Sequence, residues 1–405
     1  MNGDLQRLNA HLAAAKPSAT YRMIDRVAEH RAAGAKVISL SAGEPDFDTP
    51  THVREAAIAA IQAGHTRYTQ VAGMRALREA VAQKYRRENG LAVSWQDTIV
   101  CSGGKQVLYN ALAATLNEGD EVIIPAPYWV SYPEMVQLTG ATPVIVHCGE
   151  TDGFKLTPRA LADAITPRTR WLILNSPSNP TGAVYSAGEL RALADVLLDH
   201  PHVLVLSDDI YEHLIFDGAA FHTMAQVEPR LGERTLTMNG VSKAYAMTGW
   251  RIGFGTGPRW LLDAMEKLQS QQTSGACSIS QHAALAALNG PQQFVGDTRA
   301  VFERRRDAMV RMLNETPGLR CAPPAGAFYA FASCEGLMGR TTRAGTRLNT
   351  DEDVALALLG EAGVAVVQGS AFGLGPYIRI AYALDDRSLV QACEAIRDFC
   401  SATRP

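Results

Sequence analysis

Between residues 51 and 290 the chain alternates short apolar runs with amphipathic stretches, and few architectures satisfy that pattern. The apolar runs fall at 98–101, 121–124, 142–147, 171–175, 202–207, 235–238 and 251–255. Several are apolar on both faces, which suits strands buried between two helix layers. Stretches of helical spacing, such as 106–116 and 187–198, lie between them. The alternation predicts a large α/β domain over 51–290 with a mainly parallel sheet of about seven strands. From 291 the pattern changes to a long helix, a strand-like 326–332, a polar Gly/Arg/Thr stretch at 339–350 and a helix at 351–359. Gly363 suits that helix's C-terminal boundary. Short strands at 364–367 and 377–382 and a last helix complete a smaller α+β domain over 291–405. Residues 1–50, ending in the turn-rich Ser41-Ala-Gly-Glu-Pro-Asp-Phe47, are expected to join that domain or to cross to a partner subunit.

Length and composition fit this layout: 405 residues, 47% hydrophobic and 20% charged, leave ample material for a large core. A net charge of −3 gives no electrostatic ground for nucleic acid or an anionic membrane as partner. Arg304-Arg305-Arg306 lies in an amphipathic helix and is expected on its solvated face. The seven cysteines are scattered, with no CxxC pair and no Cys/His spacing suited to a metal. They are expected to be small buried groups in a reducing compartment. No secretory leader or bilayer-length apolar run is evident, so a soluble, cytoplasmic protein without a metal is expected.

Four clusters carry chemistry. Ser102-Gly-Gly-Lys105 follows a strand and opens a helix, where free N–H groups and glycines suit an anion; the spacing is not that of a P-loop, and a plain tight turn fits as well. Asn175-Ser-Pro-Ser-Asn-Pro-Thr-Gly182 follows a buried strand as a rigid loop. Asp208, in Ser207-Asp-Asp-Ile-Tyr211, ends a very apolar run and needs a cationic or strongly donating partner if buried. Val241-Ser-Lys-Ala-Tyr-Ala-Met-Thr-Gly-Trp-Arg-Ile-Gly253 sets Lys243 eight residues before Arg251. Gly253-Phe-Gly-Thr-Gly257 only superficially matches a dinucleotide-binding glycine cluster, because Pro258 follows it.

Taken together, these clusters resemble the class I (fold type I) pyridoxal-phosphate aminotransferases, in particular the bacterial aspartate aminotransferase branch. The resemblance runs from Lys16-Pro-Ser-Ala-Thr20 and Ala42-Gly-Glu-Pro-Asp-Phe-Asp-Thr-Pro50 through Tyr68 and Pro127-Tyr-Trp-Val-Ser-Tyr-Pro133 to Arg379. It implies pyridoxal 5′-phosphate as cofactor, bound to Lys243 as a Schiff base, with the freed lysine then moving the substrate proton. It places Asp208 on the ring nitrogen, Tyr211 and Asn179 on the phenolic oxygen, and Trp129 against the ring face. Gly103, Gly104, Lys105, Ser242 and Arg251 would hold the phosphate, joined by Tyr68 from the neighbouring subunit of a homodimer. Arg379 would clamp the substrate α-carboxylate, aided by the Gly43 backbone; strand alternation alone would also allow it to face solvent. Trp129 and Asn179 would border the substrate as well, and the smaller domain would close over it.

Lys105 matches a lysine that can pair with the distal carboxylate of aspartate or glutamate, and otherwise it adds charge near the phosphate. Thr20 and the Lys16 loop are further candidates on the substrate side. The expected reaction is amino transfer between L-aspartate and 2-oxoglutarate, with aromatic amino acids or prephenate, or a lyase reaction on the same fold, as alternatives. An effector-binding module of a transcription regulator would need an added DNA-binding region, for which the chain has no room. Asp209 stands where the family more often has glutamate, but the cofactor-facing Asp208 is retained.

Overall fold

The computed structural model describes residues 8–405. Its strands, in chain order, are β1 (Ile38–Ser39), β2 (Thr98–Cys101), β3 (Glu121–Ala126), β4 (Thr142–His147), β5 (Thr169–Asn175), β6 (Leu204–Asp208), β7 (Thr235–Gly240), β8 (Gly253–Thr256), β9 (Tyr329–Ser333), β10 (Val364–Ala365), β11 (Val367–Gln368) and β12 (Tyr377–Ala381). Each of the seven apolar runs supplies a strand of one sheet, ordered β2-β8-β7-β6-β5-β3-β4. Neighbours are parallel except along β8, which runs against both β2 and β7. Pattern reading could not show that reversal, because a strand buried on both faces looks the same in either direction.

Strand alternation divides the sheet's side chains between two cores. Leu172 and Leu174 pack with Leu190, Leu193 and Leu197 of the helix Ala187–Leu198. Trp171 and Ile173 turn the other way, onto Val107, Leu108 and Leu112 of the helix Gly104–Thr115 and Met265 of the helix Arg259–Ser270. The Trp171 indole N–H is satisfied by Thr115 Oγ1 at 2.8 Å, so this large ring is buried without a lost hydrogen bond.

Strands β11-β12-β9 form a separate antiparallel sheet, and β1 pairs in parallel with β10. The run expected as one strand at 364–367 is therefore shared between two sheets, with Val366 between the halves. The helix Asp351–Ala362 starts on a reciprocal cap between Thr350 and Asp353. It ends at Gly363, whose φ of 64° and N–H to Leu358 O fit a glycine stop. Met23, Val27 and Leu40 share a core with Phe302, Met309, Phe328, Leu358 and Ile396, so this part of the N-terminal segment packs with the C-terminal elements.

Two expectations are corrected. Only Arg304 of the arginine triplet is solvated; Arg305 and Arg306 are 7% and 4% exposed. Arg305 grips Asp46 through both Nη atoms at 2.8 and 3.0 Å and donates from Nε to Asp386 at 2.7 Å. Arg306 reaches Asp217 at 2.6 and 2.8 Å. These carboxylates come from distant parts of the chain, so helical periodicity could not reveal them. Six cysteines are buried, but Cys277 is exposed at the start of the helix Ser278–Asn289.

Replacing Arg305 strands two carboxylates, yet Asp386 is largely exposed and can rehydrate. Arg305→Ala is therefore expected to cost about 2 kcal/mol, while Arg304→Ala stays within about 0.5 kcal/mol of the parent. Urea midpoints of the two variants check this ordering; equal midpoints would contradict the buried pairing.

Candidate active site

The C-terminal ends of parallel strands gather loops at one edge of the sheet, and ligands bind in the crevice there. Asn175 ends β5, Asp208 ends β6, and Ser242 and Lys243 follow β7. Because β8 is antiparallel, it begins at this same edge, which brings Arg251 to the residues that end the other strands. A cavity of about 510 Å³ opens here. Gly43, Gly104, Lys105, Trp129, Asn179, Asp208, Tyr211, Ser242, Lys243, Arg251 and Arg379 all line it. Of the other residues expected at the site, Gly103 is not in the lining but abuts the Arg251 guanidinium, whereas Tyr68 is outside it and 94% exposed.

At one side, two loops meet more closely than side chains would allow. Gly103 has φ +89°, and a Cβ there would run into the Arg251 guanidinium; a Cβ on Gly253 would strike the backbone of Gly104. The helix Gly104–Thr115 starts at this contact, where its first N–H groups have no preceding helical carbonyl to use. Arg251 itself adopts a left-handed backbone at φ 55° and is steadied by Nη1 donating to Thr248 O at 2.8 Å. Bare amide donors beside a guanidinium make an anion cradle, which favours that use of the Gly-Gly turn over a plain tight turn.

Asp208 is 3% exposed, yet no lysine, arginine or histidine pairs with it among the described residues. Tyr132 donates its hydroxyl to Oδ2 at 2.5 Å, and the Ile210 N–H approaches Oδ1 at 3.3 Å. Burial pushes the Asp208 carboxyl up to about 6, against the opposing pull of Tyr132. The adjoining Asp209 is pushed up to about 7, again chiefly by burial, and accepts from Ser207 Oγ at 2.7 Å.

Lys243, partly buried, donates to Gly43 O at 2.6 Å. Burial lowers its amine to about 8; Glu44 opposes this, while Arg251 and Arg379 add to it. The Tyr211 hydroxyl is 2.9 Å from that of Tyr329. Lys105 Nζ donates to Ser131 Oγ at 3.1 Å and lies 4.7 Å from the Trp129 ring centroid, its amine lowered by burial and then by Arg251.

Arg379 is 1% exposed, so the face opposite Ile378 and Ile380 is the cavity wall and not solvent. It lies between the rings of Tyr329 and Phe372, at 4.7 and 4.9 Å. Nη1 donates to Asn179 Oδ1 at 3.1 Å and Nη2 to Ser41 O at 2.6 Å, while Nε has no partner. No carboxylate pairs with it among the described residues. A buried guanidinium with neutral neighbours and a spare donor is suited to an incoming anion.

Sequence reasoning gave no role to Tyr132 or Tyr329. Tyr132 was visible inside the Pro127–Pro133 motif, but its hydrogen bond to a residue 76 positions away was not. Tyr329 looked like any other strand aromatic. Thr20, also expected on the substrate side, lines the cavity, whereas Lys16 is fixed by its backbone N–H to Glu134 Oε2 at 2.6 Å.

A family model for aminotransferase class I and II matches residues 35–396. A protein of Rhizobium leguminosarum named probable aspartate/prephenate aminotransferase is 56% identical over 393 residues, covering 97% of this chain and 98% of its own. The aspartate/prephenate aminotransferase of Cereibacter sphaeroides is 56% identical over 394 residues, with the same coverage. Among solved structures, the aspartate aminotransferase of Rhizobium meliloti superposes with a TM-score of 0.95 at 51% identity, covering 98% of this chain and 99% of that one. The Thermus thermophilus aspartate aminotransferase with maleate gives 0.91 at 42% identity, covering 98% and 100%. The sheet order, the cavity at its carboxyl edge and these likenesses lead to one assignment: the chain belongs to the class I and II aminotransferases, with the type I fold of that family.

Proposed function

We propose that this protein is a pyridoxal-5′-phosphate-dependent aminotransferase that moves the amino group of L-aspartate to 2-oxoglutarate. The observation that carries the proposal is the buried Arg379, without a carboxylate partner among the described residues, on the wall of the cavity that also holds Lys243 and Asp208. The cofactor fits what the chain offers: a glycine-backed anion cradle for the phosphate, a buried carboxylate for a protonated ring nitrogen, and an amine of lowered pKa for an aldehyde. When bound, it supplies a carbonyl that condenses with amines and a cationic ring that withdraws electrons from the substrate Cα.

In this assignment Gly103, Gly104, Lys105, Ser242 and Arg251 hold the phosphate, and Asp208 retains the proton on the ring nitrogen. Tyr211 and Asn179 donate to the phenolic oxygen, and Trp129 covers one ring face. Lys243 Nζ is the base that takes the Cα proton and returns it, a task matched by an amine brought down to about 8. Arg379 binds the α-carboxylate beside Gly43, and Lys105 meets the distal carboxylate, one cation for each acidic end. Prephenate is a second acceptor to consider, because it also carries two carboxylates and the relatives from Rhizobium leguminosarum and Cereibacter sphaeroides bear its name.

The proposal extends to the assembly. A tyrosine left 94% exposed and outside the lining of this cavity fits a residue that completes a partner's site, so Tyr68 is assigned to the phosphate of the second copy in a homodimer. The working unit is then a cytoplasmic dimer, each chain divided into 1–50, 51–290 and 291–405. No helix of the described residues is long and apolar enough to cross a membrane.

Three variants test the assignment. Lys243→Ala should bind the coenzyme without the absorbance band of the lysine adduct and lose about 10³-fold or more in turnover; parental turnover by this variant would defeat it. Arg379→Ala should lower kcat/KM for aspartate by about 10²-fold, the worth of a buried charge-assisted pair. Lys105→Ala should lower it about 10-fold more for aspartate than for alanine, the loss common to both reporting its phosphate contact. Equal losses of Lys105→Ala on both amino acids, in a steady-state comparison, would remove the distal-carboxylate role.

A further inference from the structure

We infer that Tyr132 is the positioning residue that fixes the Asp208 carboxylate in its anionic, ring-facing orientation, an inference that rests on the assignment of Asp208 to the coenzyme's ring nitrogen. The backbone of Asp208 is already fixed: its carbonyl accepts from Asn175 Nδ2 at 2.9 Å, and β6 is flanked by β5 and β7. The carboxylate is not fixed by that, since two side-chain torsions remain free. Tyr132 is the one side chain among the described residues that donates to it, and the 2.5 Å separation suits a hydroxyl meeting an anionic oxygen.

The donor is itself held rigidly. Tyr132 lies in the first turn of the helix Ser131–Gln137, and its ring meets Trp129 edge-on at 5.4 Å within the same buried cluster as Leu206 and Met238. Burial and the neighbouring Asp208 keep its phenol well above its ordinary pKa, so it stays protonated and can only donate to an ionised partner. With Oδ2 held by Tyr132 and Oδ1 only loosely approached by Ile210 N–H, acceptor capacity remains for a ring N–H. The other titratable groups acting on this pair are Lys243, which favours the Asp208 anion, and Tyr211 and Asp209, which raise the Tyr132 phenol.

Tyr132→Phe removes the hydroxyl and keeps the ring, so the test separates position from packing. In the coenzyme-free protein, infrared difference spectra against Asp208→Asn follow ionisation of this one carboxyl. The midpoint should rise in Tyr132→Phe by about one pH unit, because losing a donor disfavours the anion. In the loaded protein the coenzyme dissociation constant should rise about ten-fold, and the acid limb of the aspartate half-reaction should move up in pH. Tyr185→Phe is the control: Tyr185 is buried in the other core of the sheet, accepts from Leu156 N–H at 2.7 Å, makes no hydrogen bond to Asp208, and should move none of these readouts.

A folded Tyr132→Phe with the parental midpoint and coenzyme affinity overturns the inference. Should that variant not fold, 3-fluorotyrosine at position 132 serves instead; as a more acidic donor it should lower the midpoint, and no shift counts against the inference. If the parent protein takes up no coenzyme, the functional proposal fails, while the infrared titration still decides the role of Tyr132.

Discussion

Asp208 and Arg379 are both almost closed to water, and neither is neutralised by an opposite charge among the described residues. Isolated buried charges are costly, and a fold keeps them where a ligand completes the pairing. Much of the local architecture can be understood as holding these two groups open. Neutral donors and acceptors support them: Tyr132 and the Ile210 amide at the carboxylate, Asn179 and the Ser41 carbonyl at the guanidinium. A lysine at position 132 would neutralise the carboxylate and an arginine at position 179 would crowd the guanidinium, and either would blunt the site.

The same edge of the sheet joins these charges to the rest of the chemistry. Three parallel strands deliver Asn175, Asp208 and Lys243, and the single reversed strand delivers Arg251. Glycines at 103 and 253 let the two loops at this edge approach. Arg379 comes from the smaller antiparallel sheet, while Lys243 is tied through its hydrogen bond to Gly43 in the N-terminal segment. The cavity is thus enclosed by three stretches of chain whose relative placement depends in part on the Arg305 and Arg306 ion pairs.

How much of this was legible in the sequence follows from the range of each signal. The strands at 98–101 and 142–147 and the helix at 187–198 were read to the residue, because period and flanking turn residues are local. The reversal of β8 was not, since direction leaves no mark on a strand apolar on both faces. Arg305 was assigned to solvent because its partners, Asp46 and Asp386, lie 259 and 81 positions away. Arg379 could be placed by its resemblance to the family but not by its alternation with Ile378 and Ile380, both of which are also buried. Tyr329 carried no local signal of function, and Tyr132 carried only its place in the Pro127–Pro133 motif. Their importance is visible only as hydroxyls 2.5 Å from Asp208 and 2.9 Å from Tyr211.

The central claim is that the buried Arg379 guanidinium and the Lys105 ammonium select a substrate with two carboxylates. The direct measurement mixes the pyridoxal-phosphate form with single amino acids and follows its conversion to the pyridoxamine form by absorbance. Rapid conversion by aspartate and glutamate, with slow conversion by alanine and leucine, is the expected result. Rapid conversion by the neutral amino acids with none by aspartate or glutamate would contradict the account.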